Sequence, residues 1–214
     1  MKRITKTWLL ALCLLTAYSC QDDEPLPLPN KFDFHIVNMP PTLTFDRVRM
    51  DITGANWAVI ATYETPCDGK DLHLALPTTF TSSLLQQVDR GADQKDYAGY
   101  WPATASDPNA RVATIGDIYL YNGDQRVARL RLSNWTGSGS SASKANVYLQ
   151  FADRPFSLSG QNKSYRYENC SFQAGWNAFA NINPVDQDNG DSGGTILCTT
   201  QIPTDVACYV TEVR

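Results

Sequence analysis

The stretch Ile118-Tyr119-Leu120-Tyr121-Asn122-Gly123-Asp124-Gln125-Arg126-Val127-Ala128-Arg129-Leu130-Arg131-Leu132 decides the fold of this chain. Apolar and polar side chains alternate on both sides of Asn122-Gly123-Asp124, which is typical of a β-hairpin with one face on a core. A two-residue Asn-Gly turn would place Leu130 and Leu132 on the same face as Tyr119 and Tyr121. We predict a three-residue loop instead, because it puts Arg129 and Arg131 on one face and gathers the apolar side chains on the other: Ile118, Leu120, Ala128, Leu130 and Leu132.

The same alternation runs through most of the chain from Phe32 onward, with turn signals about every eight to twelve residues. It predicts one all-β domain over residues 32–214, an antiparallel β-sandwich that is immunoglobulin-like or jelly-roll-like. The last two strands are expected to form a hairpin around Ile202-Pro203-Thr204-Asp205. The strands are expected at Phe32–Val37, Leu43–Ile52, Trp57–Tyr63, Leu72–Leu76, Ala145–Phe151, Phe156–Leu158, Ser164–Cys170, Trp176–Ile182, Thr195–Gln201 and Val206–Val213.

One segment, Ser82–Arg90, departs from the alternation. Its apolar residues Leu84, Leu85 and Val88 fall on one face of a helix, Ser82 is a suitable N-cap, and Gly91 is a suitable stop. The sequence therefore predicts one short helix here.

Residues 1–19 have the layout of a secretory signal peptide. The basic residues Lys2, Arg3 and Lys6 precede an apolar run, Trp8–Leu15, that is too short to span a bilayer. We expect cleavage before Cys20.

The Ser19-Cys20 junction resembles the signal of lipoproteins of the phylum Bacteroidota, and the acidic residues Asp22, Asp23 and Glu24 resemble their surface-export tag. The resemblance implies that Cys20 carries acyl chains and holds the protein on the outer membrane, exposed at the cell surface. Ala17 and Tyr18 depart from the usual signal, in which Leu and a small residue are common. Residues 20–31 are proline-rich and are expected to form an extended tether. The alternative is an ordinary secretory peptide with a chance cysteine.

The charge balance argues against nucleic acid as a partner. The whole chain has 18 basic and 22 acidic residues. Without Lys2, Arg3 and Lys6, 15 basic residues remain against 22 acidic ones, a net charge of −7. Such a chain gains no affinity from the release of phosphate counterions.

Four cysteines remain after Cys20. An even number in an exported domain favours disulfides over zinc, and three connectivities are open. A two-residue loop between the last strands would point Cys198 and Cys208 to opposite faces, whereas one more loop residue brings them within bridging range. We predict that Cys198 pairs with Cys208 and Cys67 with Cys170.

Gly190-Asp191-Ser192-Gly193-Gly194 resembles the segment around the nucleophile of chymotrypsin-like serine proteases. That chemistry needs a histidine that accepts the serine proton and an aspartate that orients the histidine. His35 and His73 are the two histidines of the chain, and neither stands in the sequence setting of that family. We interpret the segment as a glycine-rich turn and predict no catalytic residue and no enzymatic activity.

The same loop places oxygen ligands at Asp186, Asp188 and Asp191. The spacing half fits a calcium loop, but Gly190 and Asp191 stand in reversed order and the final Glu is missing. No cofactor is expected, and calcium bound by these three aspartates is the alternative.

Aromatic side chains mark a candidate ligand site in the long polar connection over residues 92–110. Tyr97, Tyr100 and Trp101 are suited to stacking on a sugar face, and the alternative is that their rings pin the loop to the core. Three other tryptophans are expected to pack in or over the core: Trp57, Trp135 and Trp176.

A second resemblance covers the C-terminal third. Tyr148–Arg154, Gly160, Tyr165–Tyr167 and Phe172–Asn177 resemble a recurrent pattern of uncharacterised Bacteroidota lipoproteins, with Gln173 and Ala174 as departures. The resemblance implies an all-β exported domain and supplies no activity. Gly175-Trp176-Asn177 fits a turn into a strand with Trp176 buried.

The sequence thus favours a surface-anchored lipoprotein that acts as a non-enzymatic binding or accessory module, with a glycan as the first ligand class and a protein partner as the second. The alternative is a fimbrillin-like structural or adhesin subunit whose edge strand is completed by a neighbour. A hydrolase is a minor alternative, because no set of acid, base and nucleophile is evident.

Overall fold

The computed structural model describes residues 30–88, 104–134, 143–161, 165–184 and 195–213. Several predicted sites lie outside these residues: the lipid site Cys20, the tag residues Asp22, Asp23 and Glu24, the loop residues Tyr97, Tyr100 and Trp101, and the calcium candidates Asp186, Asp188 and Asp191. The described strands are β1 (Lys31–Val37), β2 (Arg47–Thr53), β3 (Val59–Pro66), β4 (Asp71–Ala75), β5 (Gln86–Gln87), β6 (Thr104–Ala105), β7 (Arg111–Asn122), β8 (Gln125–Ser133), β9 (Ser143–Ala152), β10 (Phe156–Gln161), β11 (Tyr165–Phe172), β12 (Gly175–Pro184), β13 (Ile196–Thr199) and β14 (Ala207–Thr211).

The strands form one large mixed sheet in a sandwich-like all-β fold, which confirms the predicted fold class. Its centre runs in the order β14-β8-β7-β9-β12. β1 and β4 extend the sheet beyond β14, and β2 and β3 pair beside β7. Beyond β12 the sheet continues in the order β13-β11-β10-β6. β1 runs parallel to β14, and β11 runs parallel to β13. A purely antiparallel sandwich is therefore the wrong expectation at these two pairs.

Two hydrophobic clusters lie on opposite sides of the central strands. The larger cluster contains Met50, Leu120, Leu149 and Trp176, and the smaller one contains Phe156, Phe172 and Phe179 among its members. β9 serves both, since Val147, Leu149 and Phe151 belong to the larger cluster while Ala152 belongs to the smaller one and Tyr148 packs against it. A central strand that is covered on both faces does not show the alternation of apolar and polar residues that is typical of a strand with one face in solvent.

The hairpin of β7 and β8 has the predicted core face but a different turn. Ile118 lies opposite Leu130 and Leu120 opposite Ala128, as the three-residue loop requires. The closing pair is Asn122 with Gln125, however, so the turn has two residues, and Gly123 takes its left-handed φ of 56°. A register shift after Leu120 leaves Val127 as a bulge, and the extra residue restores the predicted face.

The predicted helix over Ser82–Arg90 is wrong where the structure describes it. A single 3-10 turn spans Ser82–Leu84, and the chain then enters β5, which pairs with β7. Leu85 is buried while Leu84 is 45% exposed, so the two leucines do not share a face. A segment this short nucleates a helix poorly, and pairing with β7 satisfies its backbone instead. Among the described residues, no helix is long and apolar enough to cross a membrane.

The predicted hairpin of the last two strands is also wrong. The turn at Thr204 and Asp205 is present, but β13 pairs with β11 and β12, whereas β14 pairs with β1 and β8. The two strands therefore belong to different parts of the sheet. Cys198 lies in the smaller cluster, and Cys208 lies in the larger one.

The four described cysteines are free, so neither predicted disulfide is formed. Cys170 shares the smaller cluster with Cys198 and donates its thiol hydrogen to the carbonyl oxygen of Cys198, with a sulfur–oxygen distance of 2.8 Å. Cys67 packs against the larger cluster that contains Cys208. Each predicted pair would have joined one cluster to the other across the central strands.

We predict that the chain from residue 21 onward, purified without reductant, shows four titratable thiols after unfolding in guanidinium and almost none when folded. Burial raises the pKa of Cys170, Cys198 and Cys208 to about 12 and raises the pKa of Cys67 as well, so thiolates are scarce in the native protein. Titration with Ellman's reagent measures both states. No thiol in the unfolded, unreduced chain would mean that disulfides form after all.

Trp176 is buried at the start of β12, as the sequence predicts. It is 2% exposed, and its indole Nε1–H donates to the carbonyl oxygen of Pro77 at 2.7 Å. Gly175 before it has a φ of 96°, a value that favours glycine. The Asn177 side chain closes the turn by accepting from the Gln173 amide and donating to the carbonyl oxygens of Gln173 and Gly175. The Gly-Trp-Asn segment therefore has a structural role.

Candidate functional site

The sheet forks in its centre, at Gly116 of β7. The first half of β7 pairs with β9, up to Ile115 opposite Leu149, and the second half pairs with β8 from Ile118 onward. Beyond the fork β8 and β9 pair directly, with Leu132 opposite Val147. The strands therefore diverge around Gly116 and leave a gap between them.

A cavity of about 160 Å³ occupies this gap. We call it the arginine cavity, because Arg129 and Arg131 line it together with Gly116, Asn146 and Tyr148. A second cavity of about 180 Å³ adjoins it and shares Gly116 and Tyr148 with it. We call this the aromatic cavity, because four rings line it: Trp57, Tyr148, Tyr165 and Phe179.

Polar side chains complete the aromatic cavity. Thr114, Gln150 and Asn181 contribute hydroxyl and amide groups. Gly116 lines both cavities, and a Cβ atom built on it would meet no atom within 4 Å. A wall of rings with a few fixed hydrogen-bonding groups is the usual lining of a small-molecule site.

Trp57 reaches the aromatic cavity from a strained turn. The 3-10 turn Ala55–Trp57 has a left-handed backbone at Asn56 (φ 55°) and at Trp57 (φ 60°), which is costly for a bulky residue. Gly54 begins the turn, and any Cβ there would lie 2.1 Å from the carbonyl oxygen of Leu84. The backbone N–H of Asn56 donates a hydrogen bond to Oε1 of Gln86 at 3.2 Å, which connects the turn to β5.

Trp57 is 48% exposed and lines the aromatic cavity together with Phe179 of the smaller cluster. Of the two predicted positions, in the core or over it, the structure therefore shows the second. Strained backbone that holds a large ring at the mouth of a cavity is the kind of feature that clusters at binding sites. Trp57 therefore marks the rim of the candidate site.

Gln150 is the most unusual polar residue of the site. It is 1% exposed, and its side-chain oxygen Oε1 has no hydrogen-bond partner among the residues that the structure describes. Besides the aromatic cavity, Gln150 borders a gap of about 10 Å³ that is also lined by Val112, Phe156 and Leu158. A buried acceptor without a donor costs about 1–3 kcal/mol, which a bound hydroxyl or amide would recover.

The charges beside the arginine cavity are unevenly compensated. Arg129 forms ion pairs with Asp117 and with Glu212. Arg131, two residues further along β8, has no ion pair with any residue that the structure describes. Burial raises the pKa of Tyr148, and the positive charge of Arg131 acts against that rise. Arg131 and Tyr148 both line the arginine cavity.

Two histidine–aspartate pairs lie away from the site, on the exposed face of β1 and β4. His73 Nδ1 is 2.6 Å from Asp33 Oδ1, and His35 Nδ1 is 3.1 Å from Asp71 Oδ1. The hydrogen bond to Asp33 raises the pKa of His73. Both histidines thus have carboxylate partners, as expected of surface residues. Within the described ranges, no group of three or more His, Cys, Asp or Glu side chains is placed to hold a metal ion.

The residues of the two cavities differ from those that the sequence singled out. Three of them have a signal in the sequence. Gly116 interrupts a strand pattern, and Gln150 stands between Leu149 and Phe151 in a strand that is covered on both faces. Trp57 follows a Gly-Ala-Asn turn signal. No pattern links these three positions, because they come together only in the folded sheet.

Comparison with protein-family models, with curated proteins and with solved structures found no match for this chain.

Proposed function

We propose that this protein is a non-enzymatic carbohydrate-binding module and that the aromatic cavity holds one sugar ring. The observation that carries the proposal is a cavity lined by four rings together with a buried Gln150 oxygen that no described residue hydrogen-bonds. Rings cover the apolar face of a sugar, while amides and hydroxyls bond its hydroxyl groups.

The size of the aromatic cavity suits this ligand. A cavity of about 150 Å³ admits a ring the size of benzene. At about 180 Å³, the aromatic cavity has room for one six-membered ring, and substituents would extend past Gly116. The exposed edge of Trp57 leaves one side open, so that a longer chain can continue into solvent.

The location of the module is part of the proposal. Acylation of Cys20 and the acidic residues Asp22, Asp23 and Glu24 would place the domain on the outer membrane with its surface facing the medium. A module in that position would gather glycans for the cell and would need no catalytic group.

We predict that Trp57→Ala lowers the affinity for a glycan at least about tenfold, because it removes an exposed ring from the rim of the cavity. The test is a glycan-array screen of the chain from residue 21 onward, followed by titration of tryptophan fluorescence with each hit. Val59→Ala is the matched control, since Val59 is also an exposed apolar residue but lies outside the cavity lining.

A third variant, Trp101→Ala, separates this site from the loop that the sequence suggested. Loss of binding in Trp57→Ala alone supports the aromatic cavity. Loss in Trp101→Ala with full binding in Trp57→Ala would move the site to the loop that contains Tyr97 and Tyr100. An array without a hit would overturn the proposal.

A further inference from the structure

We propose that the sugar bound in the aromatic cavity is acidic and that Arg131 binds its carboxylate in the arginine cavity. This inference rests on the proposed function and deepens it, because it names the class of sugar. It is carried by the geometry of the fork and by the uneven charges on β8.

The two cavities form one path. They share Gly116 and Tyr148 as lining residues, and the space where a Cβ atom of residue 116 would lie is open, with no atom within 4 Å. A ring that stacks in the aromatic cavity can therefore direct one substituent past Tyr148 into the arginine cavity. A carboxylate on a uronic acid is attached directly to the ring and is short enough to follow this path.

Arg131 is the cation that meets such a group. Arg129 lines the same cavity, but its charge is matched by Asp117 and Glu212. Arg131 is half-buried between β14 and β9, with Tyr209 as its cross-strand neighbour on β14, and no described carboxylate neutralises it. A guanidinium offers paired N–H donors whose spacing matches the two oxygens of a carboxylate.

The other arginines of the described chain are placed differently. Arg47, Arg49, Arg154 and Arg166 each have a carboxylate within ion-pair distance. Arg111, like Arg131, has no ion pair with a described residue, but it lines neither cavity. Arg126 stacks over the Tyr119 ring at 4.5 Å on the same hairpin, outside both cavities. Arg126 is therefore a matched control for Arg131, since it has the same charge on the same strand.

The neutral part of the site supports the same ligand. Asn146 lines the arginine cavity and offers a second donor beside Arg131. A neutral sugar in the aromatic cavity would leave the arginine cavity to water, whereas an acidic sugar would exchange that water for charge-assisted hydrogen bonds. We expect the acidic sugar to bind about tenfold more tightly than its neutral counterpart.

The test compares two matched probes, a glucuronic-acid-terminated oligosaccharide and the same oligosaccharide terminated by glucose, with galacturonic acid and galactose as a second pair. Isothermal titration calorimetry measures both affinities at low and at physiological salt for the wild-type chain, for Arg131→Gln and for Arg126→Gln. We expect Arg131→Gln to abolish the preference for the acid while it retains binding of the neutral sugar. Arg126→Gln should keep the preference.

The outcomes separate this inference from the proposed function. Equal affinity of wild type for acid and neutral probes, or an unchanged preference in Arg131→Gln, overturns the inference and leaves the carbohydrate module standing. Binding of the acids that is insensitive to Trp57→Ala and disappears at physiological salt also overturns it, because general attraction to the surface would then explain the data. If neither pair binds and the glycan array is silent, the proposed function fails as well.

Discussion

Replacing Trp176 by Ala is expected to lower the free energy of unfolding by about 3–5 kcal/mol. The indole is 2% exposed and meets the rings of Phe151 and Phe80 edge to face, at centroid distances of 5.8 and 6.1 Å. Its Nε1–H is also the donor to the carbonyl oxygen of Pro77. The alanine variant would leave a cavity between the sheet and the segment after β4, together with an acceptor that has lost its partner.

Urea denaturation followed by far-ultraviolet circular dichroism measures this loss for the chain from residue 21 onward. Trp176→Phe is the matched variant, because it keeps a ring against Phe80 and Phe151 but removes the hydrogen bond to Pro77. It is expected to lose about 1–2 kcal/mol, clearly less than the alanine variant. An alanine variant within about 1 kcal/mol of wild type would contradict the role that the structure gives to Trp176.

The strands and their core faces were predictable because alternation is a local property of the sequence. Ile118, Leu120 and Leu130 face the core whatever the turn is, since burial of one face selects the register. The turn itself was not predictable, because a shorter turn with a bulge at Val127 and a longer loop give the same face. Local pattern thus determines which side chains are inside but not how the chain makes the connection.

Strand partners were harder to predict than strands. β13 and β14 follow one another across a short turn, yet each pairs with strands that are distant in sequence. The predicted disulfide between Cys198 and Cys208 depended on a hairpin of β13 and β14. Because these strands do not pair, the two cysteines lie in different hydrophobic clusters. The prediction of a helix from Ser82 onward was wrong for a related reason. A few apolar residues at helical spacing are equally compatible with a turn that leads into a strand, here β5, which pairs with β7.

The sequence resemblance pointed to residues that hold the fold together. Trp176 packs the core, Asn177 closes a turn, and Asp153 accepts a hydrogen bond from the Arg111 amide at 2.8 Å, which fixes the end of β9 to β7. The candidate site uses other residues, which come from β7, β8, β9, β11 and β12 and from the turn before β3. A binding site assembled from several strands leaves no contiguous motif in the sequence. Trp57 and Gln150 line the same cavity only because the fold brings the turn before β3 close to β9.

Replacing Gln150 by Leu is expected to raise the free energy of unfolding by about 1–3 kcal/mol and to weaken glycan binding at least about tenfold. The two effects have opposite signs because none of the described residues donates a hydrogen bond to the buried Oε1 atom, whereas a ligand hydroxyl would supply one. Leucine fills a similar volume among Val112, Phe156 and Leu158 without a polar group to desolvate. Urea denaturation and calorimetric titration with an array hit measure the two effects.

Gln125→Leu is the matched control, since Gln125 is exposed beside the β7–β8 turn and should change neither quantity by much. Loss of stability in Gln150→Leu would show that water or a protein group satisfies the amide in the free protein. Unchanged binding would remove Gln150 from the site. A gain in stability together with a loss of binding has one physical reading, which is that the fold keeps an unpaired acceptor at a cost because the ligand needs it.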